Sequence, residues 1–506
     1  MKKIKYLILT VGLAIGFVAC DDAYEIEPLG ILDEEATFFE LEDAQLYLNG
    51  TYDLLTNVSQ IAFTAIFTDE VAPSADWNGS NRETHQMLLN STNGYAENIW
   101  LYGHNAINRV NRLLQGVGHL EPATEAEVAE LNNVIAQARF IRAYSYLMLA
   151  SYFSPDMTDN SALGGMLFTH VPASTEVLSR GTNGAIYELM ESDLEFAFTH
   201  LNDSNTYIFP TKAAVEALQA RMYAYRGIYD KAKTHANNVI TNYGLSLTIA
   251  QPFVLSNADF YHMANCTNPY RQIWSDIPSN SSIQHEQIFT LRSLQGGTPR
   301  FSPANIFYQN TTRCSGSPLW TMSYRVHGML AENTDDVRLY AYVDPSSDNN
   351  ACNEGEIMID KYPGVPGALL ANSLKLIRLS EMYFIMAEAA AATNDLGGVA
   401  TYLHAVQQAR SISGSAAMPS FANATDAWAG ILKERRIELF VEGHRYIDLR
   451  RLGAKAGVSI DRHINDNEHS TGETTLPITD HRFTMPVPLI ELNVNPNIIQ
   501  NPGYPG

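Results

Sequence analysis

Apolar side chains recur with helical spacing along much of this chain. In residues 131–152 they form two stripes, one of Leu131, Ile135, Ala138, Ile141 and Met148 and another of Phe140, Tyr144 and Leu147. A helix that is apolar on two faces packs between neighbouring helices instead of lying at a surface. The pattern therefore predicts a long helix that is buried on both sides.

Two later segments have small residues at the spacing of paired helices. Residues 211–240 place alanines on successive helical turns, with an interruption at Gly227, and residues 380–409 repeat the arrangement around Gly397. Alanines on both sides of a glycine-containing turn are typical of tetratricopeptide repeats, because small residues let two helices approach closely. Each segment therefore predicts one helical pair.

Residues 100–114 predict another first helix, which we expect to pair with residues 131–152 or with residues 185–201. In total the sequence predicts about four helical pairs at irregular spacing, so a simple solenoid is excluded. The predicted fold class is mostly α, built from tetratricopeptide-like helical pairs.

Residues 241–372 interrupt the helical pattern. They make up just over a quarter of the chain but hold nine of its 22 prolines. Proline lacks a backbone donor and breaks helices, so we expect loops and short strands laid over the helical core here. The sequence predicts one domain over residues 31–506, with a helical core at about 31–240 and 373–455. Residues 241–372 are its insert, and a proline-rich tail at 483–506 is expected to lie along the core surface.

The first 20 residues have the form of a lipoprotein signal. Lysines near the start precede an apolar run over residues 6–18, and Ala19 precedes Cys20. A basic start, a short apolar run and a small residue before the cleavage point describe an export signal, and this run is shorter than the ~20 residues that span a bilayer. We expect residues 1–19 to be removed, Cys20 to carry the only membrane anchor, and residues 20–30 to be an acidic tether.

The chain is strongly acidic. Removing residues 1–19 takes away three lysines, so the formal net charge falls from −22 to −25. This balance argues against binding to nucleic acid or adsorption onto anionic lipid, since both need clustered lysine and arginine. Besides Cys20 there are only Cys266, Cys314 and Cys352, so at most one internal disulfide can form, and its presence stays open.

Several motifs resemble those of a known family. Residues 434–451 contain Glu-Arg-Arg-Ile-Glu-Leu and then Glu-Gly-His-Arg-Tyr-Ile-Asp-Leu-Arg-Arg. Residues 378–383 read Arg-Leu-Ser-Glu-Met-Tyr, and the tail contains Met-Pro-Val-Pro at 485–488 and Gln-Asn-Pro-Gly-Tyr at 500–504. In this order the motifs are similar to the hallmarks of the SusD/RagB-like surface lipoproteins, and the resemblance covers the whole mature chain.

The resemblance implies a location and a partner. Members of this family are lipid-anchored at the outer membrane, face the cell exterior and deliver a captured ligand to a SusC-like TonB-dependent transporter. The acidic pair Asp21 and Asp22 after Cys20 resembles the family's signal for export to the cell surface. The resemblance also implies that the ligand lies where an early loop meets the large insert, and that no catalysis takes place.

The carboxylates of residues 434–451 allow two interpretations. Glu434, Glu438 and Glu442 are spaced four apart and could share one helix face as a catalytic cluster. The alternative is ion pairing with Arg435, Arg436 and Arg445 that fixes helix packing. We favour pairing, because carboxylates beside arginines stay ionised and make poor general acids. No catalytic residue is predicted.

Metal and cofactor motifs are missing from the sequence. One segment is rich in oxygen ligands, namely Asp348, Asn349, Asn350, Glu354 and Glu356. It lacks the spacing and the glycine of a calcium loop, so a solvated loop is the preferred interpretation and a structural calcium ion the alternative. We predict no cofactor and no catalytic metal.

Aromatic residues beside amides indicate sugar binding. Sugars have apolar ring faces and polar edges, so their receptors combine aromatic rings with Asn, Asp and Arg side chains. The predicted ligand-binding residues are Trp77, Asn78, Asn81, Arg82, Trp274, Tyr308, Trp320 and Tyr324. The alternative for the aromatic members is that they pin the insert to the core.

These features predict a surface lipoprotein that captures an oligosaccharide for a transporter. Two rival hypotheses remain. One is a peptide-binding member of the same family, which the resemblance implies would have a more polar cleft with fewer tryptophans. The other is a secreted hydrolase built on helical pairs, for which no motif was found.

Overall fold

The computed structural model describes residues 37–55, 58–203, 205–252, 268–275, 286–292, 318–344, 347, 356–362 and 372–505. Several predictions concern positions outside these described residues. They are the signal and tether with Cys20, the sugar-binding role of Tyr308, the oxygen-rich loop up to Glu354, and the three internal cysteines.

The first half of the described chain is mainly helical. In chain order its elements are α1 (Leu41–Tyr52), α2 (Val58–Phe67), β1 (Val71–Pro73), α3 (Arg82–His85), α4 (Gly94–Gly116), α5 (Glu125–Phe153), β2 (Leu163–Met166), β3 (Arg180–Thr182), α6 (Asn183–His200), α7 (Lys212–Tyr225) and α8 (Tyr229–Asn242). Helix α5 begins at a capping box, because the side chains of Thr124 and Glu127 each accept the other's backbone N–H. Gly227, at φ +71°, separates α7 from α8.

The second half continues with α9 (Pro269–Ser275), β4 (Gln287–Leu291), β5 (Trp320–Met322), α10 (Tyr324–Ala331), α11 (Val337–Tyr342), β6 (Leu374–Arg378), α12 (Leu379–Ala392), α13 (Leu396–Arg410), α14 (Ala424–Glu438), α15 (Arg445–Ala456), β7 (Ile460–Asp461), β8 (Thr475–Leu476) and α16 (Leu489–Val494). Single 3₁₀ turns form at Val117–His119, Ile464–Asn467 and His481–Phe483.

The helices pack as consecutive pairs around one core. Helix α4 packs against α5, α7 against α8, α12 against α13, and α14 against α15. Helix α6 also packs against α5, and α8 against α12, which joins the two halves of the chain. A single apolar cluster extends from Phe38 to Ile498. The predicted mostly-α fold of helical pairs is confirmed, and residues 100–114 pair with the helix that contains residues 131–152.

The insert differs from its prediction. It contributes strands β4 and β5, but its described part also contains the short helices α9, α10 and α11. Pro269 is the first residue of α9, where its missing N–H costs nothing, so this proline starts a helix instead of breaking one. Strand β4 pairs antiparallel with β6, from Gln287 opposite Arg378 to Leu291 opposite Leu374. The described insert is thus part of the core and not a layer over it.

The tail is also bound more deeply than expected. The Asn501 side chain, 2% exposed, donates hydrogen bonds to the carbonyl oxygens of Phe153 at 2.8 Å and Met485 at 2.7 Å. It accepts one from Arg180 Nη1 at 2.9 Å. Met485 is itself fully buried, so part of the tail lies inside the core and not along its surface.

Candidate functional site

The early loop, residues 74–82, meets the insert at a small antiparallel sheet. Strand β1 pairs with β5, with Val71 opposite Met322 and Pro73 opposite Trp320. Beyond the strands, Ser74 N donates to the carbonyl oxygen of Leu319 at 3.1 Å. Ala75 N donates to the carboxylate of Glu356. These bonds fix the start of the early loop to two parts of the insert.

The early loop is shaped by its own hydrogen bonds. Trp77 Nε1 donates to the carbonyl oxygen of Ser80 at 2.9 Å, and Ser80 N donates to Asn78 Oδ1 at 3.0 Å. Gly79 and Asn81 have φ of +86° and +57°, the left-handed region that glycine and asparagine tolerate best. The sequence Trp-Asn-Gly-Ser-Asn therefore closes into a tight turn that presents Asn78 and Asn81 to solvent.

Four of the predicted residues come together in this loop. Trp77 is half-buried, and Asn78, Asn81 and Arg82 are exposed. The Arg82 guanidinium lies 5.1 Å from the centre of the Trp77 ring, and the Trp320 ring lies 5.9 Å from it on the insert side. The indole is thus held between a cation and the core, and a ligand would meet its remaining exposed part together with the amides.

Tyr324 lies on the insert at the start of α10. It is 37% exposed, its N–H donates to Asp466 Oδ1 at 2.9 Å, and its ring centre is 5.4 Å from that of His463. Partial burial raises the pKa of the Tyr324 hydroxyl, and the negative charges of Glu468, Asp466 and Glu356 raise it further. Because Glu356 also binds Ala75, Tyr324 belongs to the same surface as the early loop.

We call this surface the early-loop face, defined by Trp77, Asn78, Asn81, Arg82, Tyr324, Glu356, His463 and Ile464. His463 and Ile464 were not predicted from the sequence, and Glu356 was considered there only as a calcium ligand. Ile464 follows His463 in the chain and is 70% exposed. No local signal marks these two residues, because contacts between distant segments bring them to the face: β1 contacts the 3₁₀ turn Ile464–Asn467, and the His463 ring lies near that of Tyr324.

The prediction that Trp274 and Trp320 contact ligand is wrong. Their exposed fractions are 0% and 1%. The Trp274 ring is covered by the Lys361 ammonium at 4.3 Å and by the Arg378 guanidinium at 4.9 Å. Trp320 packs between Trp77 and His85. Both indoles pin the insert to the core, as the alternative interpretation of these aromatic residues expected. An insert of this length needs apolar side chains of its own to bury, and these two indoles are among the largest.

The hallmark carboxylates form a buried ion-pair network. Glu438 accepts hydrogen bonds from Arg378 Nη1 at 2.9 Å, from Arg410 Nη2 at 2.7 Å and from Arg338 Nη1 at 3.1 Å. Glu442 accepts from Lys361 Nζ and Arg378 Nη2, both at 2.7 Å. Burial alone would raise the pKa of Glu438, but Arg410 and Arg378 outweigh it and hold the pKa well below its usual range.

Pairing was the right interpretation, but the expected partners were wrong. The arginines that bind Glu438 lie on α11, β6 and α13, far away in sequence. Arg435 pairs with Asp448 at 2.8 Å, and Arg445 pairs with Asp69 at 2.8 Å. Glu442 follows the end of α14, so it does not share a helix face with Glu438. These ion-paired carboxylates offer no protonated group for acid catalysis.

The described residues contain neither a metal-binding cluster nor a membrane-spanning helix. No group of three or more His, Cys, Asp or Glu side chains is arranged there to hold a metal ion. In the same part of the chain, no helix combines the length and apolar character needed to cross a membrane.

Two family models together cover most of the chain. Residues 217–504 match the SusD family. Residues 41–224 match a family described as starch-binding and associating with the outer membrane. SusD-like protein P2 of Formosa agariphila is 24% identical over 535 residues, which cover 99% of this chain and 100% of that protein.

Solved structures share the fold. A SusD superfamily protein from Bacteroides thetaiotaomicron superposes with a TM-score of 0.71 at 24% identity, covering 91% of this chain and 99% of that one. A SusD-like carbohydrate binding protein from Bacteroides vulgatus gives a TM-score of 0.67 at 17% identity, with coverages of 91% and 97%. At these identities the likeness extends to the arrangement of the helices and strands.

Proposed function

This chain belongs to the SusD family, and from that premise we propose that it is a lipid-anchored binding protein that captures an oligosaccharide at the early-loop face. It then passes the ligand to a SusC-like TonB-dependent transporter in the outer membrane. The transporter does the work of import, and the protein described here supplies selective binding without covalent chemistry.

The early-loop face carries this proposal. It combines a partly exposed indole, two exposed amides, an arginine and a tyrosine, the side chains that recognise the faces and edges of sugar rings. The match to the family described as starch-binding includes the early loop, and the match to the SusD family includes Tyr324. The face is held in shape by the β1–β5 pairing, so little ordering free energy is needed when a ligand binds.

The proposed location depends on Cys20 and on the described families. A lipid on Cys20 would tether the domain through the acidic residues 20–30. The family matched by residues 41–224 is described as associating with the outer membrane, which supports that membrane as the one to which the lipid attaches. We also propose that the protein faces the cell exterior, because the acidic pair Asp21 and Asp22 follows Cys20.

A peptide ligand is the second candidate, and one observation favours it. Two of the three tryptophans expected at the binding surface are buried, which leaves Trp77 as the only indole of the early-loop face. A surface of amides, charges and a single half-buried indole also fits the backbone and side chains of an extended peptide.

Binding assays decide between the two ligands. The mature protein with Cys20→Ser would be screened on a glycan array and against a peptide library, and hits would be measured by isothermal titration. We expect oligosaccharide binding that weakens about tenfold in Arg82→Ala, an exposed position whose loss leaves the fold intact. Tyr102→Ala, at an exposed tyrosine on α4, is the matched control and should bind normally. Binding of peptides alone would replace the oligosaccharide proposal.

A separate experiment tests the partner. The lipidated protein, carrying a C-terminal tag, would be purified from detergent-solubilised outer membranes, and a TonB-dependent transporter should co-purify with it. The Cys20→Ser variant in the same cells should lose membrane attachment and recover much less of the transporter. Recovery of the tagged protein without any such transporter would contradict the proposed partner.

A further inference from the structure

A second cleft, of about 400 Å³, shares no residue with the early-loop face. Its walls come from the α6–α7 connection, the first turn of α7, the residues after α8 and strand β4. The volume is within the range of small-ligand sites. No role follows for it from the function proposed above.

Two tyrosines give the second cleft its apolar surface. Tyr207 and Tyr243 are half-buried, and the half-buried Leu245 lines the cleft with them. Burial raises the pKa of Tyr243 to about 12, with further contributions from the negative charges of Glu216 and Asp203, so its hydroxyl keeps its proton. The cleft therefore combines aromatic ring surface with a hydrogen-bond donor.

The polar groups of the cleft suit hydroxyl groups. Asp203, which is exposed, and Lys212, which is half-buried, form an ion pair at 2.7 Å, and Asn202 and Asn205 lie on the same connection. Lys212 and Ala213 are the first two residues of α7, where backbone N–H groups have no partner within the helix. Thr211 caps only the N–H of Ala214, at 3.1 Å. Donors and acceptors are thus mixed along one wall.

Charge balance selects the kind of ligand. Asp203 and Lys212 compensate each other, so the cleft has no net charge from its lining side chains. A charged sugar or a charged peptide side chain would gain little there. A neutral sugar ring, with an apolar face and a rim of hydroxyls, matches both the tyrosines and the mixed polar wall.

The cleft is also held in place before any ligand arrives. Asn202 N donates to Asn133 Oδ1 of α5 at 2.9 Å, which ties the connection to the core. Thr290 N of β4 donates to the carbonyl oxygen of Tyr207 at 2.8 Å. Binding therefore requires little additional ordering of the backbone.

From these observations we infer that the second cleft is an additional binding site for one or two residues of a neutral oligosaccharide. The inference rests on the proposed function and deepens it. A chain long enough to span the early-loop face and this cleft gains affinity from the second contact, whereas a shorter chain occupies one site at a time. The protein would then favour long oligosaccharides over their short fragments.

The test uses Tyr243→Ala in the mature protein, with Tyr102→Ala as the matched tyrosine control. The probes are maltoheptaose and the neutral oligosaccharides that score on the glycan array, each compared with its own disaccharide. In the unmodified protein we expect titration with the disaccharide to show two sites. In Tyr243→Ala we expect one site, and about tenfold weaker binding of the long chain. Lys212→Met, which alters the ion pair with Asp203 without opening the core, should weaken the same site.

Hydrogen exchange supplies the second readout. Oligosaccharide should slow amide exchange in residues 202–213, and Tyr243→Ala should abolish that protection while leaving residues 74–82 protected. If titration showed a single site whose affinity neither Tyr243→Ala nor Lys212→Met changed, the second cleft would not be a binding site. The proposed function would not be affected by that result. Failure of every glycan to bind the unmodified protein would overturn both.

Discussion

Replacing Glu438 with glutamine would remove a charge that three buried arginines share. Glu438 is fully buried, and its two oxygens accept hydrogen bonds from Arg338, Arg378 and Arg410 at 2.7 to 3.1 Å. Glutamine keeps the shape but directs an NH₂ group at guanidinium donors. The variant would therefore leave positive charge without its full compensation in the core.

The magnitude follows from burial. Removing one partner of a buried ion pair lowers the free energy of unfolding by about 3–5 kcal/mol, because the remaining charge stays desolvated. For a chain of 506 residues the unfolding entropy is about 1 kcal/mol/K, so a loss of about 4 kcal/mol lowers the melting temperature by about 4 °C. The same Glu-to-Gln change at an exposed pair should cost about 0–1 kcal/mol. Glu332, 2.6 Å from Lys433 at the surface, offers that control.

The assay is urea unfolding at pH 7 followed by circular dichroism, with calorimetry for the melting temperature. We expect Glu438→Gln to unfold at clearly lower urea and temperature than the unmodified protein, and Glu332→Gln to be nearly unchanged. If the two variants differed by less than about 1 kcal/mol, the buried network would not have the energetic role assigned to it here.

Three further predictions concern other buried groups. Burial raises the pKa of Glu70 to about 8, so the folded protein holds this proton over a pH range in which the unfolded chain has already lost it. The contribution of Glu70 to the free energy of unfolding is therefore full below about pH 4.5 and is lost as pH rises through 8. Glu70→Gln should therefore gain stability over the unmodified protein by about 1.4 kcal/mol per pH unit between pH 5 and pH 8 in thermal unfolding, and a constant difference would refute this. Trp274→Ala should cost about 3–5 kcal/mol in urea unfolding, as expected of a core residue, and unchanged stability would mean that the indole is not core. Asn501→Ala should lower the free energy of unfolding by about 1–3 kcal/mol, because Arg180 and two carbonyl groups lose a hydrogen-bond partner. Proteolysis of the tail should also become faster, and an unaltered cleavage rate would show that other contacts hold the tail.

Most of the site that was predicted from sequence is local, and Tyr324 is the exception. Trp77, Asn78, Asn81 and Arg82 are neighbours in the chain, so finding them in one tight turn required no tertiary information. For Trp274 and Trp320 the same chemical pattern led to a wrong prediction. A tryptophan in an irregular insert satisfies the pattern of a sugar platform and of a core anchor equally well, and only packing distinguishes the two.

The ion-pair network shows the same limit. The sequence indicated that the hallmark carboxylates would be paired, because arginines surround them in the chain. It did not indicate that Glu438 would bind Arg338, Arg378 and Arg410, because these guanidinium groups reach it from three separate elements.

By itself the sequence determined the helical pairs, the family and the composition of the early loop. Helical periodicity and small-residue spacing depend on residues within a few turns of each other, so they are visible in the chain. The tertiary structure decided which aromatic rings remain exposed, which charges neutralise each other, and that His463 and Ile464 join Tyr324 on the early-loop face. These outcomes depend on contacts between distant segments, which burial of the shared core selects and local pattern does not encode.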